Sequence, residues 1–320
     1  GTVHARHTGT RRVEASSRLS DGTWRTVSTE TTYDSWGMAV ETESSGDLAV
    51  SGDEQCVKIT YARNTSAWIV NLPVRTETLS VACDATPSYP DDLIADERVY
   101  YDGSTTFGTP PTKGDITRTE VAKDWVGGAP VYLVTGEVTV DQYGRGLTST
   151  DVDGHVTTTT YTPASGGPLT QVTTTNPLGH TSTQILDPLR GNTLKSIDAN
   201  DHVTEMEYDA LGRLVAGWSP DRTRADGYDP AATFEYHLNG NKPSATVTHG
   251  VNANNTYTTT IELFDGLLRP RQTQLPAPDG GRILSDTIYD TRGLVHKRHA
   301  AYYHEAAPST TLFAVSDNAV

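Results

Sequence analysis

The histidines, carboxylates and cysteines of this 320-residue chain mark where chemistry could start. His304-Glu305 opens in the order of a zinc-protease motif, in which two histidines one helical turn apart hold the metal and the glutamate activates water. Pro308 stands where the second histidine is required, so the set is not completed. Lys113 lies in Phe107-Gly108-Thr109-Pro110-Pro111-Thr112-Lys113-Gly114. The lysine precedes the glycine there, the reverse of a phosphate-cradling loop, and the run reads as a Pro-rich surface loop. No Gly-x-Ser-x-Gly elbow is present. Asp151 and Asp153 before Gly154 hint at calcium, but the later acids of a calcium loop are missing. His155, His180 and His202 fall at one place of successive similar segments, which a repeated turn explains better than a metal. The expectation is therefore no enzyme, no metal and no cofactor.

Two further sets remain open. Cys56 and Cys83 both lie in strand-like sequence, and they are either a disulfide of an exported protein or two separately buried thiols. Trp24, Trp36, Trp68, Trp125 and Trp218 could stack on sugar rings. Filling the sheet core or lining the shell is the expectation for them, with glycan binding kept as the alternative.

Composition narrows the class. The formal charge is −15 and the isoelectric point about 5.0. Arg11-Arg12 and His296-Lys297-Arg298 are the nearest approach to a basic cluster, too short to displace counterions from nucleic acid. No apolar run reaches the roughly 18 residues of a membrane helix. The opening Gly1-Thr2-Val3-His4 is not a secretory signal and reads as a cut inside a longer protein. Mean hydropathy is −0.48, and Thr, Val, Ile and Tyr with 28 Gly favour strands joined by tight turns.

Those turns recur. Tyr208-Asp209-Ala210-Leu211-Gly212-Arg213 is the clearest copy. Tyr33-Asp34-Ser35-Trp36-Gly37 keeps aromatic, acid and glycine, and Asp141-Gln142-Tyr143-Gly144-Arg145 keeps acid, glycine and arginine. Phe264-Asp265-Gly266-Leu267-Leu268-Arg269 shifts the glycine forward, and Tyr289-Asp290-Thr291-Arg292-Gly293 lacks the final arginine. Weaker copies are Tyr161-Thr162, Asp187 to Gly191 and Phe234-Glu235. The spacing, in the twenties of residues, is two short strands and two turns. A second family, Asp153-Gly154-His155, Leu178-Gly179-His180 and Asp201-His202, alternates with the first. The unit is strand, turn, strand, turn: an all-β run of tandem antiparallel hairpins. Glycine supplies positive φ, Asp accepts turn amides, Arg is expected to pair with an acid across the hairpin, and Tyr packs with its hydroxyl in water. Pro90 to Glu97 could form one or two helical turns, and Leu312-Phe313-Ala314-Val315 resembles a strand. Residues 1–130 read as an irregular segment with degraded repeats, continuous with a regular segment over 131–320.

On the Tyr208 to Leu214 copy and its alternating partners, the chain resembles the YD repeats of RHS proteins, Tc-toxin B/C components and teneurins. Cys56 to Trp68 and Tyr100-Tyr101-Asp102-Gly103 are similar to stretches of large exported actinobacterial RHS proteins. The resemblance implies a curved or spiral sheet, an arc of a hollow β-shell, with no catalytic role. It implies as partners the remaining repeats and an enclosed C-terminal cargo such as a toxin, in a parent protein that is secreted or at the cell surface. The family's shell-closing cleavage motif and toxin domain are not seen, so the chain is expected to be one arc of that wall.

Overall fold

The computed structural model describes residues 8–315. Gly1-Thr2-Val3-His4 lies outside them. The described chain is all-β, with twenty-one strands and no helix, in two compact units.

The first unit runs to Thr159 and includes Thr175–Gly179. It holds β1 (Arg12–Arg18), β2 (Trp24–Tyr33), β3 (Ala39–Asp47), β4 (Gln55–Asn64), β5 (Ile69–Leu79), β6 (Leu93–Tyr101), β7 (Ile116–Val126), β8 (Ala129–Val140) and β9 (Gly146–Thr150). Each strand pairs antiparallel with the next, and β9 pairs with the start of β10 (Val156–Thr162). The core sits on β4–β6, where Ala62, Val74 and Tyr101 are buried with Leu72 and Val99 against them. Cys56 on β4 is bonded to Cys83 in the loop before β6, which fastens that loop to the sheet. Cys83 is thus in a connection rather than a strand.

The second unit comprises Thr160–Thr174 and the chain from His180. After β11 (Gln171–Thr175) come β12 (Thr181–Leu186), β13 (Thr193–Ile197), β14 (Val203–Tyr208), β15 (Leu214–Trp218), β16 (Ala232–His237), β17 (Ser244–Val251), β18 (Tyr257–Phe264), β19 (Pro270–Pro276), β20 (Arg282–Tyr289) and β21 (Val295–His304). From β12 onward every strand pairs antiparallel with its successor. In β18, β-branched Thr residues suit the pleat while Ile261 and Leu263, two apart, face inward. They pack with Ala245 and Val247 of β17, and Leu312 covers them. Burying such side chains contributes roughly 1.5–3 kcal/mol each. By contrast, no residue of β12, β13 or β14 is fully buried.

Two local expectations are overturned. Pro90 to Glu97 forms no helix: a turn leads into β6, whose pairing with β5 and β7 outweighs local propensity. Leu312-Phe313-Ala314-Val315 is not a strand but an extended strap laid over the second unit's sheet.

Candidate functional site

The stronger copies of the repeated turn share one geometry, which Asp209 displays, whereas the loop after Asp187 is one residue longer. The Asp209 N–H donates to the Arg213 carbonyl at 2.9 Å, and the Gly212 N–H donates back to the Asp209 carbonyl at 2.9 Å. Asp209 Oδ1 accepts the N–H groups of Leu211 and Arg213, both at 2.9 Å. Oδ2 accepts Arg213 Nε at 2.7 Å. Gly212 has φ 81°, the left-handed residue of a three-residue hairpin loop, and the register slips by one at Tyr208. The carboxylate is thus spent on turn amides.

Asp141, Asp265 and Asp290 accept the same two amides, at 2.8–3.0 Å. Asp34 does so through Trp36 and Met38. The second turn family is the same device. Asp151 and Asp198 cap their turns identically, with His155 and His202 in the arginine's place and Nδ1 3.1 Å from the carboxylate. In a third instance Asn252 Oδ1 takes the N–H groups of Asn254 and Thr256.

Two expected details change. The arginine pairs with its own turn's aspartate, not with an acid across the hairpin, at Arg145, Arg213 and Arg269. In the turn at Asp34 the guanidinium comes from Arg63 of the next hairpin, and in the turn at Asp290 from Arg292 within the loop. The glycine of Phe264 to Arg269 has not moved the turn forward. Leu268 takes the left-handed place at φ 58°, as Asp201 and Asn255 do in theirs.

The tyrosine hydroxyls are not left to water. Tyr208 donates to the Thr193 carbonyl at 3.0 Å, Tyr236 to Leu214 at 2.9 Å and Tyr289 to Pro270 at 3.1 Å. In the first unit Tyr33 reaches Thr10, Tyr61 reaches Ala39 and Tyr101 reaches Pro73. Except at Tyr33, whose acceptor precedes β1, each bond joins a hairpin to the preceding one that turns at the same end. Arg213 and Arg269 add to the link, lying 4.6 and 4.1 Å from the ring centroids of Tyr236 and Tyr289. Phe234-Glu235 sits inside β16, so the working aromatic of that copy is Tyr236, two residues later.

Electrostatics follow the geometry. Two turn amides and a cation hold the carboxyls of Asp209 and Asp290 below the ordinary Asp value. At Asp34, Asp141 and Asp265 partial burial pushes upward, but the same bonds outweigh it. Asp102 is the extreme. Burial opposes ionisation, yet the N–H groups of Thr112, Lys113, Gly114 and Asp115 converge on its carboxylate and bring it down to about 2. It closes the Pro-rich loop in which Lys113 precedes Gly114. Those amides point at Asp102.

Other ionisable groups are paired in the same way. In the first unit Arg75 bridges Glu77 and the buried Asp96 at 2.7–2.8 Å. Tyr89 donates to Glu77 at 2.8 Å, and Tyr132 donates to Asp96. Burial, then these bonds, push both phenols up to about 12, so each keeps its proton at neutral pH. Among the described residues, Asp151, Asp153 and His155 place ligand-type atoms within 4.8 Å of one another, all exposed. They are positions one, three and five of a capped turn.

The tryptophans divide between sheet and surface. Trp218 alone is buried in the sheet, and Trp125 is half-buried, stacked 4.9 Å from Tyr89. Trp24 is exposed. Trp68, 74% exposed at φ 58°, meets the exposed Trp36 edge-on at 5.9 Å between adjacent hairpin tips. A tip position cannot reach the core whatever its hydrophobicity.

No family model and no curated protein sequence gives a significant match to the chain. Solved structures do. The crystal structure of TcdB2-TccC3 matches at TM-score 0.62 with 13% identity, over 88% of this chain and 20% of that one. The structure of TcdB2-TccC3-TEV matches at TM-score 0.62 with 12% identity, over 88% and 22%. The chain spans about a fifth of the length of these structures. Among the described residues no helix is long and apolar enough to cross a membrane. The chain thus shares the fold of those structures, built here on an Asp-capped bend that recurs along it and on tyrosines that tie hairpins together.

Proposed function

We propose that the chain is a wall segment of a YD-repeat shell that encloses a toxin or other carried domain, and that its repeats are not catalytic. The observation that carries this reading is the division of labour in the repeat. In the Tyr208–Arg213 copy carboxylate, arginine and tyrosine are all consumed in holding the bend and joining hairpins, and Asp34, Asp141, Asp265 and Asp290 are likewise spent on turn amides, which supports a role in building extended surface. A sheet stretch such as β12–β14, bare of fully buried side chains, also suits a wall whose other cover lies outside this segment. The Cys56–Cys83 bond supports an oxidising compartment, hence secretion or the cell surface.

The test is protease protection of the carried domain in the parent protein. Protection should be lost when residues 8–315 are excised. Unchanged protection would overturn the reading. A second reading, carbohydrate or cell-surface binding, is favoured by the exposed Trp36–Trp68 pair. Saturable quenching of tryptophan fluorescence by a sugar, removed by Trp68→Ala, would establish it.

A further inference from the structure

The strap over the second unit is held in an unusual way. Gln272 and Gln274, two apart on β19, face one side of the sheet and are among the most buried side chains of the chain. Gln272 Nε2 donates to the Phe313 carbonyl at 2.8 Å, and its Oε1 accepts the Phe313 N–H at 3.1 Å. Gln274 Nε2 donates to the Thr311 carbonyl at 3.1 Å, and its Oε1 accepts the Ser309 N–H at 2.9 Å. Residues two apart on an extended chain repeat at the strand's own period, so side-chain amides here stand in for the backbone of a neighbouring strand.

The amides are fixed before the strap is counted. Gln274 Nε2 donates to Gln272 Oε1 at 2.9 Å, and Gln272 Nε2 to the buried Asp286 at 3.0 Å. Tyr302 and Arg271 anchor Asp286 in turn. Arg282 donates to Gln274 Oε1 at 2.8 Å and to Ser309 Oγ at 3.2 Å. Side-chain recognition is confined to three places. Ser309 meets Arg282, Leu312 enters the cluster of Ala245, Val247, Ile261 and Leu263, and Phe313 lies 4.1 Å from the His304 ring centroid.

We propose that Gln272, Gln274 and Arg282 form a binding site for extended polypeptide. It takes in trans a segment with a small hydroxyl residue followed, three and four residues later, by leucine and an aromatic. The chain's own Ser309–Phe313 is the ligand seated on it. The site reads four main-chain atoms and few side chains, so it admits varied sequences. It stands whether or not the wall encloses cargo.

The test keeps the whole folded chain. A protease site is placed in the exposed Glu305–Ala307 stretch and cut after folding. A fluorescein-labelled peptide of the sequence Ala306–Val315 is then added in excess and followed by anisotropy to equilibrium. The cut chain should bind it saturably, and the uncut chain at least about tenfold more weakly, because its tethered strap competes. A competitor N-methylated at the Ser309 and Phe313 amides keeps every side chain but loses both donated bonds, and should compete at least about tenfold more weakly. Gln272→Leu with Gln274→Leu should weaken the labelled peptide to a similar degree. If that variant does not fold, the N-methylated peptide on the unaltered chain still decides. Equal competition by the N-methylated peptide, or no binding to a cut chain with unchanged β circular dichroism, would overturn the proposal.

Discussion

Strands β12–β14 and β17–β20 lie in one unit, pair alike and bend through related turns, yet only the latter have a core. The difference is the cover. Leu312 and the strap seal β17 and β18, while nothing in the second unit closes β12–β14 to the same degree. In the first unit the loop fastened by Cys56–Cys83 lies beside fully buried Leu79. Turn chemistry thus makes hairpins, and covering segments make stability. A sheet one layer thick gains a core only where something lies across it.

The largest effect should follow from releasing a cover. Replacing both cysteines by serine opens a loop of sequence separation 27. It should cost roughly 3–4 kcal/mol by loop-closure entropy. Urea unfolding with and without reductant checks this, and indifference to reductant would break the link between cover and stability. Next, Leu263→Ala beneath the strap should cost about 2–5 kcal/mol, against less than about 1 kcal/mol for Leu194→Ala on β13. Their buried and exposed settings make this the sharpest form of the comparison. Equal losses would mean that β13 is covered after all.

A smaller change tests whether the turns are equivalent. Leu268 holds a left-handed conformation without glycine's freedom, so Leu268→Gly should stabilise by about 1 kcal/mol. Thermal unfolding reads the sign. Destabilisation would show that this turn is held by something other than its backbone form. The smallest effect concerns pH. Asp102 titrates near 2 in the fold and near the ordinary 3.8 when unfolded. Its contribution is therefore complete above about pH 4 and lost as pH falls towards 2. Asp102→Asn should flatten the decline in urea midpoint between pH 4 and 2. An unchanged slope would remove Asp102 as a clasp.

Much of the fold could be read in advance because its signals are local. Asp209-Ala210-Leu211-Gly212 names its own bend, and the Thr-rich stretches between such bends suit only a pleat. Residues acting at a distance were not readable. Gln272 and Gln274 look like surface positions, since their partners lie 35 to 41 residues away. Tyr236 hides behind Phe234 because a hydroxyl's target is set by strand register, which no single strand encodes. Leu268 carries no mark of its left-handed backbone. The disulfide needed the loop's path to decide it.

The bend itself demands very little: one side-chain oxygen at its first residue, and at its fourth a backbone that tolerates positive φ. Asp or Asn serves the first place, and Gly, Asp, Asn or even Leu the fourth. A code with so few fixed letters can be rewritten almost entirely while the architecture it spells stays the same. Lineages built on it should drift beyond recognition by spelling long before they drift in shape.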